Sequence, residues 1–293
     1  LMPSVGSKII NFVRDLAKKS KLKPYDQRSH VGFLRYLALR FGQNTNELMV
    51  NIVTSYEDLD MLVPFVESLV NEFPEITSVV NNINTRKADV SFGEREILLH
   101  GKPIINEKLK DLTFQISANS FFQTNSLMAE KLYDVILNSA NLKGDEIVYD
   151  LYCGAGSISL FLARKAKFVY GFDIIVSSIE NAEQNAIINN IENIDFSVAN
   201  LDSYFERKKS KNLPSPDIVI VDPPRSGMHK KMTEYLPKFR AKKIIYVSCN
   251  PSTQARDAQI LKSHAYELKK LTVVDMFPHT PHVETVGVFE KSK

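Results

Sequence analysis

Cysteine is nearly absent from these 293 residues, with Cys153 and Cys249 as the only two. Two thiols without a pairing pattern exclude a disulfide framework and fit a reducing cytoplasm. Long apolar runs are absent too. None approaches the roughly 18 residues that cross a bilayer, so no membrane partner is expected. The opening LMPSVGSKIINFVRDLAKKS is mixed helical in pattern and lacks a small-residue cleavage site, which argues against a signal peptide. A start at Leu1 ahead of Met2 reads as a piece of a longer protein. No internal repeat or low-complexity tract is visible, and nothing signals an obligate protein partner.

Large net charge is lacking as well: +3 is too little to argue for nucleic acid by itself. Its distribution says more. Residues 1–40 carry nine Lys or Arg against Asp15 and Asp26, whereas 57–75 carry six acids and no Lys or Arg. Such a basic segment can follow a phosphate backbone, and it can equally be a solvated helix face. What is present in quantity is the makings of a core. A hydrophobic fraction of 44% with 24% charged residues is that of a soluble globular chain. The length suits about two domains.

Apolar residues recur at helical spacing over 8–19, and Pro24 closes that stretch. GFLRYLALRFG and ELMVNIVTS alternate with period two around GQNTNE, as a hairpin would. A helix over 57–73 and short strands ITSVVNNIN, DVSFG and REILLHG follow. The expectation for 1–118 is an α+β domain with antiparallel pairing. From a helix at 124–140 onward, strands and helices alternate, the pattern of a doubly wound parallel sheet. YELKKLTVVDMF and VETVGVFEK are then expected as an antiparallel pair at the sheet edge. The second domain is placed at 119–293, with the boundary region spanning 115–124.

Chemistry gathers at the strand ends of that second domain. VYDLYCGAGSISL is a strand, a glycine turn and a helix; Gly154 and Gly156 permit the turn and a close ligand. Asp173 ends the next strand, where an acid accepts from ribose hydroxyls. A dinucleotide fingerprint needs a third glycine, and position 159 is serine. That disfavours NAD and favours an adenosine-bearing ligand without a pyrophosphate, such as S-adenosylmethionine. Cys153, within the turn, reads as a small packed residue. DIVIVDPPRSGM holds Asp222 at another strand end, locked by two prolines. Arg225 stands where amino-directed methyltransferases carry an aromatic, and suits a phosphate or carbonyl.

Cys249, in VSCNPST, ends the following strand. A thiol beside a methyl donor suggests addition to carbon 6 of a pyrimidine, which makes carbon 5 nucleophilic toward a sulfonium methyl. A base must then remove the carbon 5 proton. Glu284, opening a strand after MFPHTPHV, is the candidate, although a lone glutamate there is otherwise simply exposed. His279 and His282 without further ligands make no metal site.

Five ordered motifs, SFFQTN at 120–125, DLYCGAG at 150–156, DPPRSG at 222–227, YVSCNPST at 246–253 and FPHTPHVETV at 277–286, resemble the RNA 5-methyluridine methyltransferases. Those S-adenosylmethionine-dependent uracil-5 enzymes act on ribosomal RNA or on the T-loop of transfer RNA. The resemblance runs from about residue 25 to the end. It implies a Rossmann-like doubly wound methyltransferase sheet beside a smaller N-terminal α+β domain, with RNA as partner, 23S ribosomal RNA ahead of transfer RNA. It also implies Cys249 as nucleophile and Glu284 as base, with Asp222 holding the base. Gln123, Tyr152, Gly154, Asp173, Asn200 and Asp222 are implied as donor contacts. Two departures stand out: Asp173 replaces a glutamate, and the family's OB-like domain and four-cysteine iron–sulfur site have no counterpart here, so no cluster is expected. The rivals are an RNA cytosine-5 methyltransferase, which carries a second cysteine where this chain has proline and arginine, and a silent RNA-binding module.

Overall fold

The computed structural model describes residues 3–87, 93–205 and 213–292 of the protein. They divide into two units, Leu1–Thr124 and Asn125–Lys293.

In the first unit, α1 (Ser4–Lys19) buries Ile9 and Val13, one turn apart, and ends on Lys18 and Lys19, which suit the negative end of a helix dipole. Strands β1 (Leu34–Gly42) and β2 (Glu47–Thr54) form the expected hairpin, antiparallel from Leu34↔Thr54 to Gly42↔Glu47. Helix α2 (Leu59–Glu72) starts at Asp58, whose side chain accepts from Met61 N. Here antiparallel pairing fails as a general expectation. Helix α2 is a crossover that returns the chain, so β3 (Ser78–Ile83) lies parallel to β2, and only β4 (Arg95–Gly101) turns back antiparallel. The sheet order is β1-β2-β3-β4. Its core joins Ile9, Leu48, Val50, Phe65 and Leu69. Of the expected strand DVSFG, all but Gly93 lies outside the described residues. Strands β5 (Ile104–Leu109) and β6 (Leu112–Ser117) form a separate hairpin that periodicity alone did not reveal. Residues 119–124 belong with this unit rather than the next. Asn119 bonds Asn82 at 2.9 Å, and the Phe122 ring lies 5.7 Å from that of Phe114.

The second unit opens with α3 (Ser126–Ala140), capped by Asn125. It continues through β7 (Ile147–Leu151), α4 (Ser157–Ala163), β8 (Phe168–Asp173), α5 (Val176–Ile188), β9 (Ile194–Val198) and α6 (Leu201–Tyr204). Then come β10 (Ile218–Val221), α7 (Lys230–Tyr235), β11 (Lys243–Ser248), α8 (Pro251–Ser263), β12 (Tyr266–Val274) and β13 (Glu284–Lys291). Helix α7 ends at Tyr235 because Pro237 lacks an N–H, and a 3-10 turn over Leu236–Phe239 takes over. The sheet order is β12-β13-β11-β10-β7-β8-β9, parallel from β7 through β11. β10 is IVIV, buried throughout, as a parallel strand covered on both faces must be. The last two strands pair antiparallel, with β13 inserted between β11 and β12. Chain direction across the sheet reverses between β7 and β10. That switch point is where open α/β sheets leave a crevice beyond the strand ends.

Candidate active site

The glycine turn after β7 is held in left-handed backbone: φ is 67° at Tyr152, 54° at Gly154 and 80° at Gly156. The two glycines do different things. A Cβ on Gly156 would stand 2.9–3.0 Å from Phe196, Ala182 and Leu160, so this glycine permits packing. A Cβ on Gly154 would meet nothing within 4 Å, so this one faces open space that a ligand can enter. Asp173 fastens the turn, accepting from Gly154 N at 3.0 Å and from Ile175 N at 2.9 Å. Each oxygen of that carboxylate retains a second lone pair for a hydroxyl donor. Cys153 is buried, and burial pushes its thiol far up, which makes it a packing residue.

Beside the turn opens a cleft of about 580 Å³, lined by Tyr152, Ile174, Asn200, Asp202, Pro224 and Met228 among others. That volume suits a nucleoside-sized ligand. Asn200 also caps α6, its side-chain oxygen accepting from Asp202 N at 3.1 Å. Gln123 is the predicted donor contact that lies in the first unit, where it lines a cavity of about 410 Å³ with Arg40, Gln43 and Phe122.

Two acids and a thiol gather farther along the same strand ends. Asp222 follows β10 directly, its N–H donating to Leu151 O. The β11–β13 ladder ends at Ser248↔Thr285, so Cys249 and Glu284 occupy the next position on two paired antiparallel strands. Residues at one register position share a face of the sheet. Glu284 is therefore not the exposed strand-start residue that its type suggests; it is 7% exposed. Desolvation pushes its carboxyl up to about 7, with the charge of Asp222 adding. Burial likewise pushes Asp222 up to about 7. The Cys249 thiol is raised by desolvation, then by Glu284 and Asp222, while Arg225 acts in the opposite direction.

Asp150, in the middle of the apolar run VYDLY, was not singled out from the sequence. It is fully buried, its Oδ2 accepts from the Ser159 hydroxyl, and its Oδ1 has no partner. Burial, with Asp222 and Asp173 adding, pushes it up to about 7. An acid interrupting a buried strand was the available signal. Ser159 thus has a structural task in the place where a dinucleotide site has glycine.

The VSCNPST stretch explains itself in three dimensions. Asn250 caps α8, accepting from Ser252 N, and its amide donates to Arg225 O at 3.1 Å. Asp257, buried within α8, accepts from Tyr246 OH at 2.7 Å and from Met228 N at 3.0 Å. Arg256 donates to Met228 O at 3.1 Å. The helix after Cys249 thereby anchors the loop that begins with Asp222.

A doubly wound sheet with this strand order, a glycine turn and a carboxylate-flanked thiol defines a methyltransferase fold of the S-adenosylmethionine-dependent class. The family model described as tRNA (uracil-5-)-methyltransferase matches residues 90–293. The chain is 41% identical over 281 residues to an uncharacterized RNA methyltransferase of Oceanobacillus iheyensis, covering 96% of this chain and 61% of that protein. It is 40% identical over 289 residues to one of Chlorobaculum tepidum, covering 98% and 60%. The crystal structure of Pyrococcus abyssi tRNA (uracil-54, C5)-methyltransferase in complex with S-adenosyl-L-homocysteine superposes with a TM-score of 0.77 at 36% identity, over 96% of this chain and 66% of that one. This chain belongs to the tRNA (uracil-5-)-methyltransferase family, and it spans about three fifths of the length of these two curated relatives.

Proposed function

We propose that this protein transfers a methyl group from S-adenosylmethionine to carbon 5 of a uridine in RNA, by way of a covalent bond between Cys249 and carbon 6. The observation that carries this reading is the register: Cys249 and Glu284 stand opposite each other at the end of the β11–β13 ladder, with Asp222 close enough to raise both. The Cys249 thiolate adds to carbon 6, and the displaced π electrons become an enolate. Carbon 5 then takes the sulfonium methyl, whose old bond to sulfur leaves its electrons on that sulfur. Glu284 removes the carbon 5 proton, the ring double bond reforms, and the thiolate departs. Asp222 holds the base. Donor contacts are assigned to Tyr152, Asp173, Asn200 and Asp222. Gly154 leaves room for the donor because no side chain fills its open side. In a reducing cytoplasm Cys249 stays a thiol.

Ribosomal RNA of the large subunit is the first substrate reading. Transfer RNA is the second, favoured by the Pyrococcus abyssi enzyme's transfer RNA substrate at 36% identity. One experiment tests reaction and substrate together. The protein is incubated with S-adenosylmethionine and 5-fluorouridine-substituted ribosomal or transfer RNA, and a denaturation-resistant complex is sought. Fluorine replaces the proton that Glu284 removes, so the expected product stalls on Cys249 and is absent from Cys249→Ala. A complex with one RNA class assigns the substrate. A complex that survives in Cys249→Ala overturns the mechanism.

A further inference from the structure

Cys249 and Glu284 come from different strands, and no covalent feature sets their spacing. Just inside them lies a set of hydrogen-bonded polar groups. Thr285 is 2% exposed, and its hydroxyl lies 3.1 Å from Ser248 O and 2.9 Å from Gln254 Oε1. Gln254 is 5% exposed and donates its amide to Tyr246 O at 2.8 Å, which leaves its oxygen as the acceptor facing Thr285. One hydroxyl hydrogen thus serves two acceptors, one on β11 and one on α8. On the Cys249 side, Ser248 Oγ accepts from Asn250 N at 3.1 Å and closes the turn around the thiol. These bonds join the last residue of β11, the second residue of β13 and the first turn of α8, around the two groups assigned to chemistry.

We propose that Thr285 and Gln254 are positioning residues, whose hydrogen bonds set the separation of the Cys249 sulfur and the Glu284 carboxylate. The inference rests on the reading of Cys249 as nucleophile and Glu284 as base. It goes further by making proton removal, rather than thiol addition, the step that depends on this pair. Thiol addition needs only Cys249 against the ring. Proton removal also needs Glu284 at carbon 5, the ring atom bonded directly to the sulfur-bearing carbon 6, so a small shift of β13 against β11 harms it selectively.

The test compares wild type with Thr285→Val, which keeps the shape and loses the hydroxyl, and Thr285→Ser, which keeps the hydroxyl. With unmodified substrate RNA and S-adenosylmethionine, the valine variant is expected to accumulate the methylated Cys249 adduct and to release product at least about tenfold more slowly. KM for RNA and donor is expected to stay near wild type, and the serine variant to release product at close to the wild-type rate. A second readout needs no donor: the pH profile of Cys249 alkylation by iodoacetamide, with Cys249→Ala as the background for buried Cys153. The groups acting on that thiol are Glu284 and Asp222, which raise it, and Arg225, which lowers it. Displacing Glu284 is expected to speed alkylation near neutral pH by about threefold in the valine variant. Should that variant not fold, Gln254→Met carries the same two expectations. A valine variant with wild-type release and an unchanged alkylation profile overturns the inference, provided that wild type forms the 5-fluorouridine complex. Absence of that complex from wild type overturns the underlying reading instead.

Discussion

Glu284 has a carboxyl pushed up to about 7 by burial and by Asp222, so it ionises in the range where a proton acceptor works best at neutral pH. A raised carboxyl is protonated below its own pKa and serves as a base only above it. Single-turnover release of product is therefore expected to fall as pH drops through about 7. Glu284→Gln should remove that dependence while letting the adduct build up; a pH-independent wild type, or no adduct in the variant, would count against the assignment. The two glycines of the turn separate stability from binding. Gly156→Ala sets a Cβ against three side chains at φ 80° and is expected to cost about 3 kcal/mol in denaturant unfolding. Gly154→Ala meets open space, so only the left-handed backbone is penalised, by about 1 kcal/mol. Its methyl enters the room proposed for the donor, and calorimetry should show the weakening in S-adenosylmethionine affinity that Gly156→Ala lacks once folded.

At the scale of elements, α8 carries more than its amphipathic pattern suggests. It packs Leu261 into the core, yet its polar residues hold β11, β13 and the loop after β10 together. Asp257→Ala leaves the Tyr246 hydroxyl and the Met228 N–H without their acceptor in a buried place. The expected loss is about 3 kcal/mol, readable as a lowered urea midpoint. Asp257→Asn keeps an acceptor and should recover part of it. An alanine variant as stable as wild type would mean that water replaces the carboxylate there. Strand order is the other element-level decision. β13 runs opposite to β11, and that inversion brings a residue near the end of the chain level with Cys249.

Across the whole molecule, charge is distributed unevenly. Lys8, Arg14, Lys18 and Lys19 on α1, with Lys21 and Lys23 beyond it, are exposed. If these residues follow an RNA backbone, Lys18→Glu with Lys19→Glu should flatten the slope of log affinity against log salt by about 0.7 for each phosphate no longer neutralised. An unchanged slope assigns them to a solvated helix face.

Much of this architecture was legible in order and periodicity. Strands buried on both faces must read as apolar runs, and turns that need left-handed backbone or a fixed φ must show glycine or proline, so the doubly wound sheet, the glycine turn and the Asp-Pro-Pro turn stood out locally. Cys249 stood out because one thiol closed a strand in a chain with only two. Other features depended on residues distant in sequence. The parallel pairing of β2 with β3 follows from how α2 crosses, not from the composition of either strand. The burial of Glu284 and its place opposite Cys249 come from register between strands far apart in the chain, which no local pattern encodes. The pairing of Asp150 with Ser159, and of Thr285 with Gln254, was silent in sequence because the partner that satisfies a buried polar side chain is set by neighbours in space. Local sequence by itself determined which residues can do chemistry and which strand ends carry them. Tertiary structure alone decided which of them meet, because hydrogen-bond partners and desolvation are set by neighbours in space.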